Sequence, residues 1–271
     1  MFWTRTLSII VLIPLIILIV QWGTFLYSVL IFGVAILMLI EFCRLSEPIR
    51  LTGQIVVVIP SGVLFCLAAQ FSFPVELVLL FALFVAFVSQ ILQGRVEGAF
   101  RSVTISLTGA VYIGWAFGYH LILLRRLTDV ADKPVGSKLI FLLIAIIWCG
   151  DIAAYLFGKW LGRHKLVPQI SPGKTVEGTI AGLCFGILGG LVIWFFLLQD
   201  TLALAHVPIL GLVLSGISQI SDLSESVIKR DAGVKDSGTL IPGHGGLLDR
   251  CDSLIFSAPT LYYYFTYFVK S

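Results

Sequence analysis

Apolar residues run through this chain in long blocks, broken by short clusters of Gly, Pro and charged side chains. Blocks of about 20 apolar residues predict membrane-crossing helices, because that length at 1.5 Å rise per residue spans the hydrocarbon core. The pattern predicts nine such helices, near residues 7–22, 24–41, 54–71, 74–93, 103–124, 138–158, 176–198, 207–228 and 253–269. The blocks are apolar on all sides and do not alternate, so transmembrane strands are not expected. The predicted class is therefore all-α, a polytopic integral membrane protein. Pro14 and Pro60 inside blocks, and the group Gly186, Gly189 and Gly190, suit close packing of helices in lipid. One membrane domain is expected over 1–271, with N-terminal helices in 1–137 and a working half in 138–271.

Composition sharpens this picture. Of 271 residues, 58% are hydrophobic and 12% charged, far from the balance of a water-soluble domain. A net charge of +3 is too small to argue for nucleic acid as a partner. With the N-terminus inside, 13 Lys and Arg fall in cytoplasmic segments and 5 on the opposite side, which favours an N-in, C-out topology. Arg5 followed by the Leu7–Val20 block resembles a signal peptide, but no small-x-small site follows, so a retained first helix is expected. Cys43, Cys66, Cys149 and Cys184 lie in or beside apolar blocks without metal spacing and read as small apolar residues. Cys251 has no His partner in register.

Polar chemistry is concentrated near the C-terminus. Between Asp222 and Asp252 stand six of the 15 acidic residues, together with Lys229, Arg230, Lys235 and Arg250. Asp222, Glu225, Ser226 and Lys229 recur at helical spacing and form one polar stripe. Asp249 and Asp252 make a second carboxylate face where the last helix begins. Two such faces suit a hard divalent cation, which takes oxygen ligands near ~2.1 Å in the case of Mg²⁺. A solvated loop with internally paired charges is the competing reading. Gly243, Gly245 and Gly246 flank His244 and allow backbone N–H groups to approach a phosphate. His244 itself suits phosphate contact, proton handling or a structural hydrogen bond.

Two further elements lie upstream. Asp151, deep in an apolar block, is costly there unless functional or paired. Tyr155 and Lys159 continue its face at i+4 and i+8. The run Ser171-Pro172-Gly173-Lys174-Thr175, with Glu177 and Gly178, enters the next helix. It is not a P-loop, since Pro168 stands where that motif needs Gly. Gly173, Lys174 and Thr175 are expected at a helix N-terminus, where N–H groups favour a phosphate. Contact with lipid headgroups is the alternative. Glu41 and Glu76 are expected at the membrane interface, as is the Tyr262, Tyr263, Tyr264 and Tyr267 group.

Taken together, Ser226-x-Ile228-Lys229-Arg230, Lys235-Asp236 and Ile241-Pro242-x-His244-Gly245-Gly246-Leu247-x-Asp249-Arg250-x-Asp252 resemble the signature of the phosphatidate cytidylyltransferases of bacterial type. Asp151-x-x-x-Tyr155 and Ser-Pro-Gly-Lys-Thr-x-Glu-Gly agree with it. The chain departs from the usual pattern at Ser221, commonly Gly, and at Cys251, commonly aliphatic or Thr. The resemblance implies transfer of a cytidylyl group from CTP to phosphatidic acid, giving CDP-diacylglycerol and pyrophosphate with Mg²⁺. It implies Asp222 and Asp249 as metal ligands, with Asp252 and Asp151 as further or outer ligands and a second cation left open. Asp222, Asp249, Lys229, Arg230, Lys235 and His244 become the expected catalytic residues. Ser171, Lys174, Thr175, Tyr155, Arg250, Gly245 and Gly246 become the expected substrate-binding residues. CTP, phosphatidic acid and membrane lipids are the expected partners, with a homodimer left open. The expected location is the bacterial inner membrane, with the site facing the cytoplasm. A polyprenol kinase or ether-lipid cytidylyltransferase would carry a similar polar set. A cation transporter fits less well, because the Lys/Arg cluster would repel cations.

Overall fold

The computed structural model describes residues 14–46, 54–94, 96–129, 131–238 and 245–270. Helices fall on every predicted block: α1 (residues 14–22), α2 (Thr24–Ser46), α3 (Gln54–Phe71), α4 (Val75–Gln93), α5 (Ala99–Arg125), α6 (Gly136–Leu161), α7 (Val176–Leu198), α8 (His206–Asp231) and α9 (Leu248–Tyr264). The middle of α5, Ala110–Tyr119, widens into π geometry, as do the end of α7 at Trp194–Leu198 and the continuation of α9 at Phe265–Val269.

Among the described residues, six helices (α2 and α4 to α8) are long and apolar enough to cross a membrane. Their outer faces support the same conclusion. Leu77, Leu80, Phe84 and Phe87 of α4 and Phe195 and Phe196 of α7 are all exposed. Large side chains displayed this way along whole helices are stable against lipid, not water. The protein is an all-α integral membrane protein.

The hairpin before α7 corrects the sequence reading, which placed Gly173 and Lys174 at a helix N-terminus. Lys165–Val167 (β1) pairs antiparallel with Ser171–Thr175 (β2), with Lys165 opposite Thr175 and Val167 opposite Ser171. Gly173 and Lys174 are therefore strand residues. Thr175 alone caps the helix, its Oγ1 accepting from Gly178 N–H at 3.1 Å. A Thr N-cap ahead of an apolar block is a strong helix start, and strand pairing continues up to it.

The chain packs as two compact units. The first joins residues up to Leu123 with Asp231–Cys251. In it the π segment of α5 lies on α3 at a glycine contact. A Cβ on Gly114 would stand 2.5 Å from Gly62 Cα. Phe65, Ala68, Val78 and Ala110 form a core beside this contact.

The second unit comprises Leu124–Arg230 and Asp252–Ser271. Here α6 and α7 meet backbone to backbone through small residues. A Cβ on Gly178 would lie 2.6 Å from Ala154 O, one on Gly182 would lie 3.2 Å from Gly150 O, and one on Gly189 would lie 2.7 Å from Ala145 O. Without side chains between them, the two backbones approach closely enough for dispersion to hold them in lipid. The same stripe serves α8, since a Cβ on Gly182 would stand 3.1 Å from Gln219 Nε2. That packing fixes where α6, the hairpin and α8 present their polar residues.

Candidate active site

Within the second unit, α8 displays its polar stripe as the spacing predicts. Asp222 Oδ2 meets Lys174 Nζ at 2.9 Å, and the same ammonium donates to Gln219 O at 3.3 Å. Lys174 thus reaches from β2 across to α8. Ser226 Oγ lies 3.5 Å from Asp222 Oδ1, one turn further on. Asp151 on α6 interacts electrostatically with both Asp222 and Lys174. Asp252, buried on α9, interacts with Asp222, Lys229 and Asp151. Three carboxylates from three helices therefore act on one another. Lys229 is held by Glu225, which is fully buried, at 2.5 Å. Lys174 and Lys229 are the cations that act on this carboxylate group.

Other predicted residues lie on the same elements. Arg230 Nε donates to Ile170 O at 3.2 Å, tying the end of α8 to the hairpin turn that precedes Ser171. Tyr155 lies on the outer face of α6, with Lys159 Nζ 6.0 Å from its ring centroid. Ser221, one of the two departures from the family pattern, is fully buried. Its hydroxyl donates to the Asp252 carbonyl and accepts from Phe256 N–H at 3.4 Å. Where a Gly would leave a gap, Ser221 stitches α8 to α9 beside two of the carboxylates.

The first unit contains Asp249. Its Oδ2 accepts from Ser237 N–H at 2.9 Å, Ser237 Oγ at 3.0 Å and Gly246 N–H at 2.8 Å. Gly245 has φ +80, in the region only glycine occupies without strain, and a Cβ there would stand 2.9 Å from Asp249 Oδ2. The Gly-Gly pair therefore wraps a carboxylate, not an open anion cradle. Lys235 and Arg250 are exposed. His244 and Gly243 lie outside the described residues. Asp252 follows Asp249 by one turn of α9.

One residue was misjudged from sequence. Glu41, expected at the interface, is buried in the first unit. It accepts from Leu247 N–H at 3.0 Å and Leu248 N–H at 2.8 Å, and its Oε2 lies 3.2 Å from Ser237 Oγ. Its only sequence signal was a carboxylate in an apolar block, which an interfacial position explains equally well.

A family model described as the cytidylyltransferase family matches residues 3–268. The chain belongs to the cytidylyltransferase family. It is 50% identical over 135 residues to a phosphatidate cytidylyltransferase of Synechocystis sp., covering 48% of this chain and 44% of that protein. It is 43% identical over 166 residues to a phosphatidate cytidylyltransferase of Brucella suis, covering 60% of this chain and 57% of that protein. A phosphatidate cytidylyltransferase of Staphylococcus saprophyticus is 33% identical over 223 residues, covering 82% of this chain and 80% of that protein. The chain thus spans about half the length of the first two relatives and four-fifths of the third. The family's polar signature falls on α8, on the segment after it and on the first turns of α9.

Proposed function

We propose that this chain transfers a cytidylyl group from CTP to phosphatidic acid, giving CDP-diacylglycerol and pyrophosphate, a step of phospholipid biosynthesis. The observation that carries the reading is the Asp151, Asp222, Asp252 and Lys174 cluster in a chain of the cytidylyltransferase family. A phosphate oxygen of phosphatidic acid attacks the α-phosphorus of CTP. The bond from that phosphorus to the bridging oxygen breaks, and pyrophosphate leaves with the electron pair. The attacking phosphate monoester is largely dianionic near neutral pH, so no strong general base is required. The barrier lies in bringing two polyanions together, which calls for positioning and charge neutralisation.

The donor set suits Mg²⁺. It consists of carboxylate oxygens, and one of the carboxylates is already in contact with a cation, the Lys174 ammonium. Among the described residues no three His, Cys, Asp or Glu converge as a ready chelate. Mg²⁺ usually keeps several waters and is completed by substrate phosphates. Asp222 and Asp249 are the proposed ligands, with Asp252 and Asp151 as further or outer ones and room for a second cation. When bound, Mg²⁺ would neutralise charge developing on the departing pyrophosphate. Lys174, Lys229, Arg230, Lys235 and Arg250 would hold phosphates of the two substrates, with His244 assigned to the CTP triphosphate next to the Gly245-Gly246 turn that holds Asp249. Ser171 and Tyr155 would line the approach to this group, with Thr175 seated beneath it as the cap of α7.

Purified protein incubated with radiolabelled CTP and phosphatidic acid is expected to form a labelled liponucleotide and pyrophosphate, with none when Mg²⁺ is chelated. Label that goes instead to a lipid alcohol as phosphate, or no lipid product, would overturn the reading.

The proposed topology is nine crossings in a bacterial inner membrane, N-in and C-out, as one membrane domain, alone or as a homodimer. Its support is the positive-inside count. In a variant with all five cysteines replaced by Ser, Lys133→Cys should react with an impermeant maleimide added outside, and Lys165→Cys should not. The reverse labelling would invert the topology and move the site away from cytoplasmic CTP.

A further inference from the structure

We propose that Glu41 is a positioning residue for the reaction, fixing the start of α9 so that Asp249 is held ready for its metal. The inference rests on the functional reading above and deepens it. It starts from a local deficiency in the sequence. A helix leaves its first N–H groups without partners, and a cap normally comes from Ser, Thr, Asp or Asn just ahead of it. At α9 that position is Leu247, whose side chain accepts nothing.

Glu41 supplies the missing acceptor from a helix 206 and 207 residues away in sequence. Its two oxygens divide the work: Oε1 takes Leu247 N–H, and Oε2 takes Leu248 N–H and lies 3.2 Å from Ser237 Oγ. A negative charge at this end of a helix is favoured by the backbone dipoles as well. The site is shaped around the carboxylate. A Cβ on Gly238 would stand 2.7 Å from Glu41 Oε1, and one on Gly246 would stand 2.6 Å from Oε2. A carboxylate near the end of an apolar membrane helix is costly to bury unless it has such partners.

Ser237 couples this cap to Asp249. Its hydroxyl lies between the two carboxylates, 3.2 Å from Glu41 Oε2 and 3.0 Å from Asp249 Oδ2, while its N–H also donates to Asp249. Glu41 therefore sets the helix on which Asp249 rides and shares a hydrogen-bond donor with it. Displacing Glu41 moves the backbone beneath Asp249, not only a distant packing contact.

The test uses the full chain in detergent micelles with Glu41→Gln and Glu41→Asp. A Gln keeps the shape, but it presents an NH₂ to one of the two backbone donors, so one of them loses its partner. Hydrogen exchange at Leu247 and Leu248 should rise at least about tenfold in Glu41→Gln, with α4 unchanged. The Mg²⁺ concentration giving half-maximal thermal stabilisation should rise about tenfold, with Glu41→Asp nearer to wild type. Unchanged exchange would overturn the cap. Faster exchange with an unchanged Mg²⁺ midpoint would reduce Glu41 to a purely structural cap and overturn the positioning role, as would the absence of any Mg²⁺ effect on the wild type. None of these readouts needs turnover. A wild type that binds Mg²⁺ but makes no CDP-diacylglycerol would defeat the functional reading while leaving the Glu41 result standing.

Discussion

Asp222→Asn is expected to lower CDP-diacylglycerol formation by at least about a thousandfold while leaving the protein folded. The substitution keeps the volume and one acceptor oxygen, so Ser226 retains its neighbour and α8 its stripe. The change is confined to charge. Asp222 is the carboxylate on which Lys174 sits and with which both Asp151 and Asp252 interact. Without it the cluster loses the anion that brings the hairpin, α6, α8 and α9 into electrostatic contact. The Lys174 pair is partly exposed, so its loss should change stability by less than about 1 kcal/mol. Measuring the thermal midpoint beside turnover separates the two effects. Asp249→Asn should behave alike, because an Asn oxygen still accepts from Ser237 and Gly246. Mg²⁺-dependent turnover surviving in both variants would remove these carboxylates from the metal assignment.

Legibility in the sequence followed the range of the physics. The helices were readable because a membrane-crossing helix is specified by its own composition, and α3 and α7 fall where their blocks begin and end. The Asp222, Glu225, Ser226 and Lys229 stripe was readable because one helix carries it and its spacing fixes its face. The hairpin was not. Ser-Pro-Gly-Lys-Thr looks like a helix entry, and only its partner Lys165–Val167 makes it a strand. Glu41 was still further from view, because its meaning lies in Leu247 and Leu248, two hundred residues on. Local signals told which groups are present, whereas long-range pairing decides which of them cooperate. The buried Ser221 shows the same limit. It read as a departure from a pattern and proved to be a link between α8 and α9.

The second large effect tests the scaffold under the cluster. Gly178→Val is expected to abolish accumulation of folded protein or, where some folds, to lower activity about a hundredfold. The new Cβ would stand 2.6 Å from Ala154 O and 3.1 Å from Gly158 Cα, both backbone atoms that cannot turn aside. Overpacking of this kind typically costs 1–3 kcal/mol in a core that can adjust, and here the contact is backbone on backbone. Relief requires α7 to move off α6. Because Thr175 caps α7 through Gly178 N–H, that movement also shifts β2 and with it the Lys174 ammonium on Asp222. Gly216→Ala is the matching control, since its Cβ would meet only Leu183 Cδ2 at an ordinary 3.8 Å. Detergent-extracted yield, melting temperature and turnover should all fall for Gly178→Val and hold for Gly216→Ala. Equal behaviour of the two variants would mean that the glycine stripe does not set the distance between the elements that carry Asp151, Lys174 and Asp222.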